Sequence, residues 1–134
     1  MGRPSADERA RAQAMIDLLG LGAVADRNVE ALSLGIGRLV EIGRALMTEP
    51  KLVLLDEPSS GLDRDETDEL AGTLVNVQRE HGIAILLVEH DVELVQQLVE
   101  RVFVLDFGTL IASGRTADVF ADSAVRKAYL GDLV

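Results

Sequence analysis

The chain has 134 residues, of which 48% are hydrophobic and only 3% aromatic. This allows one domain with a core of Leu, Val, Ile and Ala, as in α/β proteins whose parallel strands are covered on both faces. A net charge of −10 at pH 7 disfavours binding to nucleic acids and to anionic membrane surfaces. Its lack of cysteine excludes thiolate sites and is compatible with the cytoplasm. The longest apolar run, Ile83–Val88, is far shorter than the ~20 residues of a membrane helix, so no direct membrane insertion is expected.

Helices dominate the first third of the predicted structure. Ser5 and Glu8 have the spacing of a capping box, in which each side chain hydrogen-bonds to the backbone N–H of the other residue. Ser33 precedes a segment with a helical apolar period and is predicted to cap it. The predicted helical segments are residues 5–19, a short piece at residues 23–27, and residues 35–47.

Two strand–helix units follow, and they predict a parallel sheet. Continuous apolar segments at Leu52–Leu55 and Ile83–Val88 are typical of buried strands. Each is followed by an aspartate, Asp63 or Asp91, that is predicted to cap a helix with an apolar face. Strands joined through helices pair in parallel, so the expected fold class is α/β.

The end of the chain predicts a β-hairpin and two short helices. Strands Val102–Leu105 and Thr109–Ala112 flank Asp106-Phe107-Gly108, a sequence suited to a tight turn. The helices are expected at Ala117–Ala121 and Ser123–Leu130. No linker or low-complexity tract interrupts the sequence, so a single domain is expected.

Three polar side chains are expected at one edge of the sheet. Asp56 and Glu57 end the first strand, and His90 follows the second. The carboxyl ends of parallel strands meet at one edge, where ligands bind in open α/β sheets. Asp56 suits a Mg²⁺ ion held through water, Glu57 suits the orientation of an attacking water, and His90 suits a hydrogen bond to a terminal phosphate. Taken alone, the Asp-Glu dipeptide is equally compatible with a plain polar strand end.

The predicted start of the third helical segment is a second candidate site. Ser33, Leu34 and Gly35 stand at a helix N-terminus, where free N–H groups and the helix dipole attract anions. Gly35 also allows the backbone to approach a phosphate closely. An ordinary helix cap is the alternative interpretation of Ser33.

In this order, the segments resemble the ATP-binding subunits of ABC transporters. The matching motifs are LSLGIGR at residues 32–38, KLVLLDEPSSGLD at residues 51–63 and VEHD at residues 88–91. The resemblance implies ATP and Mg²⁺ as cofactors. It implies that Asp56 binds the metal ion and that Glu57 and His90 are the catalytic residues.

The resemblance also implies partners. The signature loop of the family binds the γ-phosphate of a nucleotide held by a second ABC ATPase subunit, and it corresponds to Ser33, Leu34, Gly35 and Ile36. Asp63 matches the loop that crosses the interface between the two subunits. Membrane-spanning permease subunits are the other implied partners, which would place the chain in the cytoplasm on the inner face of the cell membrane.

Two further segments are similar to one branch of the family. Residues 114–131, GRTADVFADSAVRKAYLG, look like the ending of the branched-chain amino-acid uptake ATPases. Residues 17–35, DLLGLGAVADRNVEALSLG, resemble the part of their helical subdomain that leads into the signature. The resemblance therefore implies import of branched-chain amino acids.

The family's phosphate-binding loop has no counterpart in these residues. Walker A loops read Gly-x-x-x-x-Gly-Lys-Ser/Thr, and neither Lys51 nor Lys127 follows a glycine. A partial P-loop NTPase (ABC ATPase) fold without the Walker A strand is thus expected, with exposed strand edges and apolar faces. We expect this chain alone neither to bind ATP tightly nor to hydrolyse it.

The resemblance also divides the single partial ABC ATPase domain of residues 1–134. Residues 1–48 would be the end of the helical subdomain with the signature helix, residues 49–114 the core from Walker B to the histidine switch with the hairpin, and residues 115–134 the family-type tail.

Two alternatives remain open. The chain could be the C-terminal half of a non-transport ABC ATPase, which a long coiled coil before the signature or a basic face would favour. It could also be a non-catalytic fragment that offers its signature helix and dimer interface to a complete ATPase.

Overall fold

The computed structural model describes residues 3–130, and within them the expected α/β pattern is confirmed. The helices are α1 (Ala6–Leu18), α2 (Leu34–Leu46), α3 (Arg64–His81), α4 (Val92–Leu98), α5 (Thr116–Ala121) and α6 (Ser123–Leu130). The strands are β1 (Leu52–Asp56), β2 (Ala84–Val88), β3 (Arg101–Asp106) and β4 (Thr109–Arg115). Two compact units, residues 1–91 and 92–134, make up the chain. Residues 131–134, the end of the expected tail, lie outside the described part.

Local sequence sets the starts of the long helices. The predicted capping box of α1 is present: Ser5 Oγ accepts from Glu8 N–H at 3.2 Å, and Glu8 Oε2 accepts from Ser5 N–H at 2.6 Å. Ser33 and Asp63 cap α2 and α3 as predicted. The helical piece predicted at residues 23–27 is instead a 3₁₀ turn at Gly22–Val24, and a second such turn lies at Val29–Ala31.

The sheet of the first unit consists of β1 and β2, which pair in parallel as predicted. Their register runs from Leu52 opposite Ala84 to Asp56 opposite Val88. The strand ends therefore coincide, and whatever follows them starts from the same edge. This register places the Asp-Glu and Glu-His segments beside each other.

Only one face of this sheet is covered within residues 3–130. Val53 is buried and Leu55 half-buried, whereas Leu54 is 67% exposed and Leu86 56% exposed. The prediction of strands buried on both faces is therefore wrong for these residues, because burial of both faces requires a layer on each side of the sheet. The expected uncovered apolar face is confirmed.

The second unit is built on the predicted hairpin. Strands β3 and β4 are antiparallel, from Arg101 opposite Arg115 to Asp106 opposite Thr109. Phe107 and Gly108 form the connection with φ of 44° and 78°, which are the positive values of a two-residue hairpin turn.

Valine side chains from the hairpin and the last helices form the core of this unit. Its buried members are Val102, Val104, Val119 and Val125. Leu94 in α4 is also buried, with 1% of its surface exposed. In the part of the chain that the structure describes, no helix combines the length and apolar character needed to cross a bilayer.

Candidate functional site

The backbone turns sharply at the end of β1. Asp56 is the last residue of the strand, and Glu57 has a φ of 45°, in the left-handed region that non-glycine residues seldom occupy. Glu57 N–H donates to Val88 O at 2.8 Å, which joins the end of β1 to the end of β2. Such conformations cluster at functional sites, where surrounding contacts hold them in place.

The turn brings Glu57 and His90 together. Glu57 Oε1 lies 3.6 Å from His90 Nδ1, and the two side chains are 52% and 68% exposed. At this exposure an ion pair contributes little to stability. Both groups are instead open to a ligand outside the strand ends, where the sequence analysis placed them.

Asp56 is exposed at the same edge. Among residues 3–130, no group of three or more His, Cys, Asp or Glu side chains could hold a metal ion. A single carboxylate nevertheless fits Mg²⁺, which keeps several waters and takes only one or two carboxylates from the protein. The metal-binding role of Asp56 stays a prediction.

Glu89 is a member of this site that the sequence analysis missed. Its side chain is fully buried, and Oε1 accepts two hydrogen bonds from Ser59, from the backbone N–H at 2.9 Å and from the hydroxyl at 2.6 Å. Its Oε2 accepts from His90 N–H at 3.2 Å. The sequence signal was a charged residue between an apolar strand and His90, but its burial depends on the loop after β1.

The signature residues form a second group around the start of α2. Ser33 Oγ accepts from Ile36 N–H at 3.3 Å, so Ser33 is a helix cap in this structure. Leu34 lies against Gly61, where an added Cβ would be 2.9 Å from Leu34 Cδ2. A Cβ on Gly35 would be 2.9 Å from Glu66 Oε1.

Asp63 connects this group to α3. Its Oδ1 accepts from Glu66 N–H at 2.9 Å, and Glu66 Oε2 accepts from Asp63 N–H at 3.2 Å. The Glu66 carboxylate thus caps α3 with one oxygen and faces Gly35 with the other. The start of α2 and the loop that carries Asp63 consequently pack against each other.

Residues 57–63 run between the two groups. Ser60 N–H donates to Glu57 O at 3.1 Å, and Leu62 N–H donates to Ser59 O at 3.0 Å. The structure thus joins Asp56, Glu57 and His90 at the strand ends and brings Asp63 to the signature residues. A cavity of about 370 Å³ lies elsewhere in the first unit, and none of the predicted site residues lines it.

The fold is that of about half of an ABC ATPase domain. The structure superposes on an ATP-binding cassette of an ABC transporter in its ADP conformation with a TM-score of 0.85 and 30% identity, over 97% of this chain and 52% of that one. It matches cbiO1 from Clostridium perfringens, part of the ABC transporter complex cbiONQ, with a TM-score of 0.83 and 33% identity, over 99% of this chain and 53% of that one.

Sequence comparisons find similarity to ATP-binding proteins of ABC transporters. Residues 4–60 match the ABC transporter family, and residues 109–133 match the branched-chain amino acid ATP-binding cassette transporter family. The methionine import ATP-binding protein MetN 1 of Burkholderia orbicola is 38% identical, over 99% of this chain and 39% of that protein. The high-affinity branched-chain amino acid transport ATP-binding protein LivG of Escherichia coli K12 is 35% identical, over 97% of this chain and 51% of that protein.

The chain therefore spans about half the length, or less, of the relatives it matches. These relatives divide between methionine and branched-chain amino acids. The two relatives thus share the class of ATP-binding proteins of ABC transporters and differ in cargo.

Proposed function

We propose that this chain supplies part of the ATP-hydrolysing site of an ABC transporter. The observation that carries the proposal is the 3.6 Å distance between Glu57 Oε1 and His90 Nδ1 at the carboxyl edge of two parallel strands. Hydrolysis of a phosphoanhydride depends mostly on position and charge neutralisation. Glu57 orients the attacking water and accepts its proton, and His90 donates a hydrogen bond to the γ-phosphate.

The cofactors would be ATP and Mg²⁺. Asp56 would hold the metal ion through water, and the bound ion would neutralise charge on the phosphates. The signature residues Ser33, Leu34, Gly35 and Ile36 would bind the γ-phosphate of a nucleotide on a second subunit. Support for this comes from the N-terminus of α2, where helix geometry leaves the first N–H groups without partners inside the helix.

The proposal assigns two kinds of partner. One is a second ABC ATPase subunit, whose nucleotide would lie at the start of α2 and whose surface would face the loop at Asp63. The other is a pair of membrane-spanning permease subunits, which would hold the chain at the inner face of the cell membrane. The chain alone, without a Walker A loop, would neither bind ATP tightly nor hydrolyse it.

One experiment tests the enzymatic part of this function. The tagged chain is purified from its source cells with whatever assembles with it, and Mg-ATP hydrolysis is measured for wild type and Glu57→Gln. Hydrolysis by the assembly that Glu57→Gln abolishes supports the proposal. Turnover by the 134-residue chain alone, lost in the same variant, would contradict the need for partners.

For the cargo, we propose branched-chain amino acids. The match of residues 109–133 to the branched-chain family supports this choice, as does the similarity to LivG. The similarity to MetN 1 favours methionine instead. Uptake of labelled leucine and of labelled methionine is measured in cells that lack the gene. The cargo is the amino acid whose uptake is restored by the wild-type gene but not by Glu57→Gln.

A second candidate function is interaction without catalysis. The start of α2 and the loop at Asp63 are formed and packed together within this chain, although it carries no Walker A loop. The fragment could thus offer a signature surface to a complete ATPase. Co-purification with a full-length ATPase, and a change in that enzyme's rate on Ser33→Arg, would favour this function.

A further inference from the structure

Glu89 is a fully buried carboxylate, and the proposed mechanism of ATP hydrolysis gives it no role. It directly follows β2, with Val88 on one side and His90 on the other. Burial of a carboxylate is unfavourable unless hydrogen-bond donors replace the lost water. Glu89 has three such donors, and they come from the two segments that carry the site.

The donors divide between the two carboxylate oxygens. Ser59 supplies its backbone N–H and its hydroxyl to Oε1, and His90 supplies its backbone N–H to Oε2. Ser59 itself is only 8% exposed. An ionised carboxylate accepts on both oxygens and donates on neither, so its hydrogen bonding matches these donors.

These hydrogen bonds connect the segment that carries Glu57 to the segment that carries His90. Ser59 lies two residues after Glu57 in the turn that leaves β1, and its carbonyl accepts from Leu62 N–H at 3.0 Å. His90 is fixed through its own backbone on the opposite oxygen. A shift of either segment would therefore stretch a hydrogen bond to the other through a single buried group.

We infer that Glu89 is a positioning residue that sets the distance between Glu57 and His90. It holds the loop after β1 and the segment after β2 in one register through opposite oxygens of one carboxylate. The inference rests on the proposed function for its effect on hydrolysis, but the positioning itself is independent of ATP. Glu89 touches no substrate in this role, because its side chain is fully buried.

Two substitutions separate the two halves of the arrangement. Glu89→Gln keeps one oxygen for both Ser59 donors, but its amide group then faces His90 N–H as donor against donor. Ser59→Ala removes the hydroxyl from the opposite side and leaves His90 N–H in place. Glu69→Gln on the exposed side of α3 is the control for loss of one negative charge.

The first measurement is NMR of the isotope-labelled protein, which follows the backbone amides of Ser59 and His90 and the imidazole ring of His90. Both variants are expected to move the His90 ring signals, whereas Glu69→Gln leaves them in place. The inference would be overturned if Ser59→Ala left the His90 signals unchanged. Glu89 would then serve only as the hydrogen-bond acceptor for the loop after β1. Ser59→Ala also keeps the test decisive if Glu89→Gln fails to fold.

The second measurement is ATP hydrolysis by the assembly that carries each variant. Glu89→Gln is expected to lower kcat on the order of tenfold to 10²-fold with KM unchanged, because displacement of a positioned group affects the reaction step. An unchanged kcat beside displaced His90 signals would contradict a role in hydrolysis. A wild-type assembly without ATPase activity would count against the proposed function, while the NMR result would still decide the positioning.

Discussion

The Leu34 side chain lies directly over Gly61, so that a Cβ atom on the glycine would be 2.9 Å from Leu34 Cδ2. This contact joins the first residue of α2 to the loop before α3. Gly61 also has a φ of 80°, which costs an L-residue roughly 1–2 kcal/mol. Close approach and backbone conformation thus both require glycine at this position.

We therefore expect Gly61→Ala to lower the free energy of unfolding by roughly 1–2 kcal/mol from the backbone alone. Urea unfolding followed by circular dichroism measures the change. The matched control is Gly72→Ala in α3, where a Cβ meets nothing within 4 Å and alanine should stabilise the helix by up to ~1 kcal/mol.

A double-mutant cycle isolates the contact from the backbone effect. In a Leu34→Ala background, Gly61→Ala should cost less than in wild type, because the facing methyl group is gone. Equal costs in the two backgrounds would show that the contact does not contribute.

Gly35 is expected to be sensitive for a different reason. A Cβ there would be 2.9 Å from Glu66 Oε1, the end of a flexible side chain whose other oxygen accepts from Asp63 N–H. Gly35→Ala should displace Glu66 and break the capping box of α3, at a cost of about 1 kcal/mol. Hydrogen exchange of the Asp63 amide is the direct measurement.

Gly37 in the same helix is the control for this prediction. Nothing lies within 4 Å of a Cβ at that position, so Gly37→Ala should stabilise α2 by up to ~1 kcal/mol. Faster exchange at Asp63 in the Gly37→Ala variant would argue against the Glu66 contact as the cause.

Glu57 is expected to combine a functional side chain with an unfavourable backbone. Its φ of 45° makes Glu57→Gly more stable than Glu57→Ala by about 1 kcal/mol, although both lack the carboxylate. Chemical denaturation of the two variants measures the difference. Equal stability would mean that the turn relaxes once the side chain is removed.

The features that the sequence predicted correctly depend on short stretches of sequence or on a general rule of strand pairing. Ser33 and Asp63 act as caps on residues three positions away, so their role is visible in a short window of sequence. The approach of Glu57 and His90 follows from the rule that parallel strands end at a common edge.

Contacts that depend on the path of a loop were not predictable in this way. Glu89 is buried because Ser59, 30 residues earlier, lies beside it. The burial of the sheet was overestimated for a related reason. Leu54 and Leu86 belong to strands with the apolar composition of buried strands, but no layer faces them in residues 3–130. Apolar composition reports the tendency to be buried and does not specify the covering partner.

The capping box of α1 predicts a pH dependence. Hydrogen bonding from Ser5 lowers the pKa of the Glu8 carboxyl below its ordinary value. The backbone N–H of Ser5 is the larger cause, and its hydroxyl is the second. A lowered pKa in the folded state stabilises the fold above the unfolded-state pKa, and this contribution is lost as the pH falls through the folded-state pKa.

Carboxyl-carbon NMR of Glu8 over an acid titration measures this shift. Ser5→Ala should move the titration of Glu8 upward, towards its ordinary pKa, because the hydroxyl donor is removed and the cap is weakened. An unchanged titration in Ser5→Ala would show that the hydroxyl of Ser5 does not contribute to the shift.

The hairpin tip is expected to be improvable by a single substitution. Phe107 is fully exposed and has a φ of 44° at the first position of a two-residue turn that ends in Gly108. Asn-Gly is the preferred sequence for this turn, because asparagine adopts the left-handed region more easily than bulky residues do. Phe107→Asn should therefore raise the free energy of unfolding by about 1 kcal/mol, measured by thermal or urea unfolding. Phe107→Ala removes the same exposed ring without the preference for positive φ, so an equal gain in both variants would assign the effect to the ring and not to the turn.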